Sequence, residues 1–94
     1  MRESTVEAHL VKRVQELGGE VRKVQWIGRR GAPDRLVMLP YEKVVFNTTI
    51  WVELKAPGQK AKPHQAREHA RMAAMGQRVV VIDTIEGVEE LLRA

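Results

Sequence analysis

Residues 51 to 82 constrain the fold of this chain more than any other stretch. Trp51-Val52-Glu53-Leu54-Lys55 closes a run rich in β-branched and aromatic residues that begins at Val44 and reads as strand. Ala56-Pro57-Gly58 breaks that run. Pro63 suits the first turn of a helix running to about Met75, and Gly76 is its stop. Val79-Val80-Val81-Ile82 is then a continuous apolar run, of the kind covered on both faces in a parallel sheet. Strand, helix and strand in this order predict a right-handed crossover, which sets the two strands parallel and lays the helix on one face of the sheet.

The remainder supplies a second layer. Ser4 with Glu7 three residues later fits a capping box opening a helix. Val6, Leu10, Val14 and Leu17 recur at helical spacing until Gly18-Gly19. Glu20 to Ile27 alternates as a first strand, a basic loop covers 28–33, and Asp34 to Leu39 forms a second strand stopped by Pro40. Tyr41-Glu42-Lys43 is a connection, and Val44 to Lys55 forms either one long strand or a tight hairpin around Asn47-Thr48. A last short helix carries Ile85, Val88, Leu91 and Leu92 inward. The element order is αβββαβα: an α/β fold with a small mixed sheet flanked by helices, in one domain spanning residues 1–94. A chain of 94 residues buries only a modest core, so two subunits sharing a surface is expected.

Several chemistries are excluded at once. The chain has no cysteine, hence no disulfide, thiolate metal site or cysteine nucleophile. Its N-terminus, Met1-Arg2-Glu3-Ser4-Thr5, lacks the apolar segment of a signal peptide, and no apolar run is long enough to cross a membrane. A soluble, cytoplasmic protein is expected. Sixteen Lys and Arg against twelve Asp and Glu leave a net charge of +4, which favours an anionic partner.

The acidic residues carry the sharper signal. On a strand, Glu53 and Lys55 share one face with Trp51. Alone, Glu-x-Lys is an ion pair on a solvated edge. Asp34, however, lies nineteen residues earlier at the start of its own strand, just after Pro33. If those strands pair, two carboxylates converge at one end of the sheet, repel one another and attract a cation. Oxygen ligands completed by water suit Mg²⁺ or Mn²⁺. A neighbouring lysine can orient a water or stabilise charge on a phosphate.

Pro33-Asp34 followed by Glu53-Leu54-Lys55 resembles the PD-(D/E)xK nuclease superfamily, whose core is that of the restriction endonucleases. The longer segments "GAPDRLVML" and "WVELKAPGQKAKPHQ", with the glycine-ended helix before "VVVID", resemble the VRR-NUC domain, a virus-type replication-repair nuclease. The likeness covers Glu7 to Ile82 and implies a role for each matched residue. Asp34 and Glu53 hold the metal, together with the Leu54 carbonyl. Lys55 is the catalytic lysine. Gln65 matches a glutamine next to the active site, and Glu7 a first-helix glutamate that assists the metal.

Read without the resemblance, Glu7 falls at about 100° from Val6 on a helical wheel, inside the apolar arc, so it can cap the helix, join the site or do both. Gln65 alone reads as a polar residue of the first helical turn. His9, His64 and His69 have no metal-ligand spacing among themselves and read as structural or surface residues. Met72 and Met75 read as packing residues. Arg29, Arg30 and Arg35 on one loop, and Lys60, Lys62 and Arg67 beyond the other, bracket the carboxylates as a track for a nucleic-acid backbone.

The expected activity is Mg²⁺- or Mn²⁺-dependent endonucleolytic hydrolysis of branched or distorted DNA, such as a Holliday junction. The resemblance implies a homodimer, a bacterial or phage-encoded origin, and a helicase or other replication-repair protein as partner. Trp26, the 41–50 segment and the last helix are the candidate dimer surfaces. Two other readings stand beside it: a DNA-binding module of the same fold that does not cleave, and an interaction domain whose Glu-x-Lys is a surface ion pair.

Overall fold

The computed structural model describes residues 2–40 and 49–93. Seven elements follow in the order α1 (Glu3–Glu16), β1 (Glu20–Lys23), β2 (Arg35–Met38), β3 (Thr49–Leu54), α2 (Pro63–Ala74), β4 (Val79–Ile82) and α3 (Ile85–Leu92). The strands lie side by side in sequence order. β1–β2 and β2–β3 are antiparallel, while β3 and β4 are parallel and joined through α2. This is the mixed α/β arrangement that the sequence predicts. The connection at 41–43 and the hairpin around Asn47-Thr48 lie outside the described residues.

The pleat sorts β3 into two faces. Ile50, Val52 and Leu54 turn to one side, where Val6, Leu10 and Val14 of α1 and Val88 of α3 meet them together with Val37 and Ile82. This core is wholly aliphatic, and each fully buried side chain contributes about 1.5–3 kcal/mol. Trp51 and Glu53 turn to the opposite face, which α2 covers. α2 buries Glu68, His69 and Met72 there, the i, i+1 and i+4 positions of one helical stripe.

The boundaries depart from the sequence reading where side chains are drawn elsewhere. α1 begins at Glu3 with Arg2 as N-cap and no side-chain cap bond. The Ser4–Glu7 capping box does not form: the helix starts before Ser4, and the Glu7 carboxylate pairs with Arg35. β1 ends at Lys23 instead of Ile27. The Val24 N–H still bonds the Asp34 carbonyl at 2.9 Å, after which the chain leaves the sheet and Ile27 is 98% exposed. β4 is an edge strand and Val81 is 40% exposed, so the run is not covered on both faces. Met75 is not a packing residue either: it caps the end of α2 and is 71% exposed, whereas Met72 is buried.

Two glycines allow close approaches. At Gly19, between α1 and β1, a Cβ would stand 2.3 Å from the Met38 carbonyl oxygen. Gly31 has φ +85°, and a Cβ there would meet the His64 carbonyl at 2.9 Å and the Gln65 Cα at 3.2 Å. A positive φ and no side chain let the 28–33 loop lie against the first turn of α2. That contact brings the residues before Asp34 and the residues of α2 to one place.

Candidate active site

The β2–β3 register pairs Arg35 with Val52. One step further along the same ladder, Asp34 falls across from Glu53, on the face that bears Trp51 and Glu53. Directly opposed positions hold their Cβ atoms about 4.5–5.5 Å apart. Asp34 lies just outside β2, with its Oδ1 accepting from the Leu54 N–H at 3.4 Å. Lys55 follows the last residue of β3, its N–H bonded to the Ile82 carbonyl at 2.9 Å. Its ammonium donates to Gln65 Oε1 at 2.8 Å. The same Gln65 oxygen accepts from the Lys62 N–H at 2.8 Å, so one amide both closes the start of α2 and holds Lys55. Asp34, Glu53, Lys55 and Gln65 thus meet at one end of the sheet.

Glu53 is the buried member, only 6% exposed. Burial pushes its carboxyl up to about 7, and the charge of Asp34 adds to the rise. Glu53 Oε1 and His69 Nε2 lie 3.7 Å apart. They are also the buried side-chain atoms without a hydrogen-bond partner among the described residues. Burial pushes the His69 imidazole down, against a backbone hydrogen bond at Gly31. Of the two roles expected for the histidines, His69 takes the structural one, buried beside a carboxylate. The missed signal is its spacing from Gln65: four residues on a helix place the two on one face.

Arg35 requires a correction. It does not belong to the DNA-facing arginines, because alternation sends its side chain to the α1 side of the sheet. There it is 6% exposed and paired with Glu7. One guanidinium nitrogen also reaches round to Asp34, 3.1 Å from Oδ2 and 3.0 Å from its carbonyl. Glu7 therefore touches the site only through Arg35. Arg29 is likewise engaged, with Nε and Nη2 donating to Glu68 at 2.9 and 2.7 Å. Arg71 donates to the same carboxylate, and these cations hold Glu68 down at about 2.

Arg29 stays exposed while paired to Glu68, and Arg30, Lys60, Lys62 and Arg67 are exposed as well. Arg30, Lys62, Arg67 and Lys55 all act on His64, whose imidazole is pushed down by desolvation and then by their charge. Their positive charges thus act together around His64, with Lys55 of the acidic site among them. Beside it, the two tryptophans stand with ring centroids 5.2 Å apart and planes inclined by 48°. Trp26 Nε1 donates to the Pro33 carbonyl at 2.8 Å, and Trp51 Nε1 to Gln77 Oε1 at 3.0 Å. They line an open cleft of about 350 Å³ with Met72 and Met75.

The donor set suits a hard divalent ion. Two carboxylates meet across the β2–β3 ladder, and the charge of Asp34 adds to the rise of Glu53, so the pair favours a cation between them even with Arg35 against Asp34. No group of three or more His, Cys, Asp or Glu side chains converges among the described residues. This suits Mg²⁺ or Mn²⁺, which take one or two carboxylates and complete their shell with water and phosphate. It does not suit a closed cage of protein ligands.

Fold and site together define a class: a small mixed-sheet α/β domain that holds two carboxylates and a lysine at one sheet end, as nucleases do. No family model matches the sequence. The chain is 50% identical over 84 residues to "Putative nuclease p44" of Acyrthosiphon pisum secondary endosymbiont phage 1, covering 89% of this chain and 85% of that one. A solved structure described as a VRR_NUC domain superposes with a TM-score of 0.81 at 38% identity, over 96% of this chain and 92% of the other. The chain belongs to the VRR-NUC family of nucleases. No helix among the described residues is long and apolar enough to cross a membrane.

Proposed function

We propose that the protein is a Mg²⁺- or Mn²⁺-dependent endonuclease that cuts branched or distorted DNA as a homodimer. The observation that carries this reading is the convergence of Asp34, Glu53 and Lys55, with Gln65 holding the lysine. Asp34 and Glu53 would hold the ion with the Leu54 carbonyl, and the bound ion would supply Lewis-acid polarisation of the phosphate and of the attacking water. Lys55 is fixed by Gln65 where its ammonium can orient that water or stabilise charge on the phosphate. Arg30, Lys60, Lys62 and Arg67 would hold the backbone, a contact that gives affinity without reading sequence. Backbone contacts of this kind leave selection to the shape of the DNA. A two-fold pair of sites would cut both strands symmetrically. Exposed Met75 and Val81 give a second copy apolar surface to cover.

The test is nicking of a four-way junction and of a matched duplex, with Mg²⁺, Mn²⁺ or a chelator. The wild type is compared with Glu53→Gln and Lys55→Ala. Equal cleavage by all three proteins would remove the assigned site, and cleavage in chelator would remove the ion. Junction binding with a steep salt dependence, but no cleavage with any metal, would establish the non-cleaving module in its place.

A further inference from the structure

Glu53 and His69 come from different elements, β3 and α2, and each is about nine-tenths buried. Their facing atoms, Oε1 and Nε2, are the buried side-chain polar atoms left unpartnered among the described residues. A buried polar atom without a partner is costly, so two facing each other call for an explanation. At 3.7 Å they are under 1 Å too far apart for a hydrogen bond. The Gly31 backbone, on the loop leading to Pro33 and Asp34, acts on the same imidazole as a hydrogen-bond acceptor would. Nε2 faces Glu53, which leaves Nδ1 as the ring nitrogen toward Gly31. The ring thus spans the loop that carries one carboxylate and the strand that carries the other.

We infer that His69 is a positioning residue, which takes Glu53 Oε1 through Nε2 and so presents the other carboxylate oxygen to the divalent ion shared with Asp34. One proton between Nε2 and Oε1 closes the bond. The carboxylate then loses its freedom to rotate, and Oε2 is the oxygen left for the ion. The inference rests on the metal-dependent reading above. His69 itself touches neither ion nor DNA.

Two amide substitutions separate the functions of the two ring nitrogens. In His69→Gln the amide nitrogen falls near the place of Nε2, and in His69→Asn near that of Nδ1. Mn²⁺ affinity is measured by calorimetry, and the urea midpoint of each metal-free protein checks folding. His69→Asn should weaken Mn²⁺ binding about 10–100-fold, the range for lost partners of metal ligands, while His69→Gln stays within a few-fold of wild type. Cleavage should lose kcat in the same order with KM for DNA unchanged. The reverse order, Asn rescuing and Gln failing, would show that the Gly31 link is the whole role and overturn the inference. Equal Mn²⁺ affinity in all three would do the same.

A metal-free measurement separates this inference from the reading on which it rests. The ¹⁵N resonance of His69 Nε2 should move in Glu53→Gln, whether or not any ion binds. An unmoved resonance refutes the contact. A moved resonance in a protein that binds no Mn²⁺ supports the contact and refutes the metal site.

Discussion

Glu53→Gln should stabilise the metal-free protein above neutral pH. Glu53 is buried beside Asp34, and its carboxyl is raised from 4.5 to about 7. Between those values the folded chain keeps a proton that the unfolded chain releases, so unfolding becomes easier as pH rises. At about 1.4 kcal/mol for each tenfold change in proton affinity, the ionised carboxylate costs the fold about 3 kcal/mol by pH 8. A glutamine has the same shape and no charge. The assay is urea unfolding in chelator from pH 4.5 to 8.5, read as the difference between variant and wild type. That difference should be close to zero at the acid end and grow toward about 3 kcal/mol, on the order of 10–20 °C in melting temperature for a domain of this size. The subtraction is needed because His64 and His69, both pushed down, contribute with the opposite sign: the fold gains stability from them as pH rises. Mn²⁺ should then stabilise the wild type, increasingly at higher pH, and leave the variant unchanged. A difference that is flat across the range, or that favours the wild type at pH 8, would refute both the burial argument and the role of Asp34 in it.

Other substitutions test separate parts of the structure. Arg35→Met should lower the urea-derived stability by about 2–3 kcal/mol, less than a fully buried pair because Glu7 and Asp34 keep some solvent. It should leave the salt slope of DNA binding unchanged, whereas Arg30→Gln and Arg67→Gln should each reduce that slope by about one. Gln65→Ala frees Lys55 and should lower kcat about 10–100-fold in single-turnover cleavage while Mn²⁺ affinity holds, since Gln65 binds the lysine and no carboxylate. Gly19→Ala places a methyl 2.3 Å from the Met38 carbonyl and should cost at least about 1–3 kcal/mol in thermal unfolding.

The parts of this fold legible in the sequence are those governed by a single period. The stop-start pattern from Trp51 to Ile82 gave both the parallel pair and its helix, and Pro63 and Gly76 marked that helix to within a residue. Asp34 and Glu53 could be brought together on one assumption, that their strands pair. Arg35 shows where charge counting fails. Three arginines around an aspartate look equivalent in sequence, yet alternation alone puts Arg35 on the face opposite Asp34, under α1. Glu7 then follows, because a buried guanidinium needs a carboxylate more than a helix terminus needs a cap. His69 was hidden for another reason. A search for histidine pairs cannot find a ring that faces a glutamate on a distant strand.

The tryptophans have a practical consequence. The chain has only two, and they lie within one contact of each other. Trp26 is tied to the carbonyl before Asp34, and Trp51 stands two residues before Glu53. All indole emission therefore originates from one spot beside the two carboxylates, and two indoles this close couple excitonically in circular dichroism. Any shift of the 28–33 loop against β3 is written into the optical spectrum of the unlabelled protein.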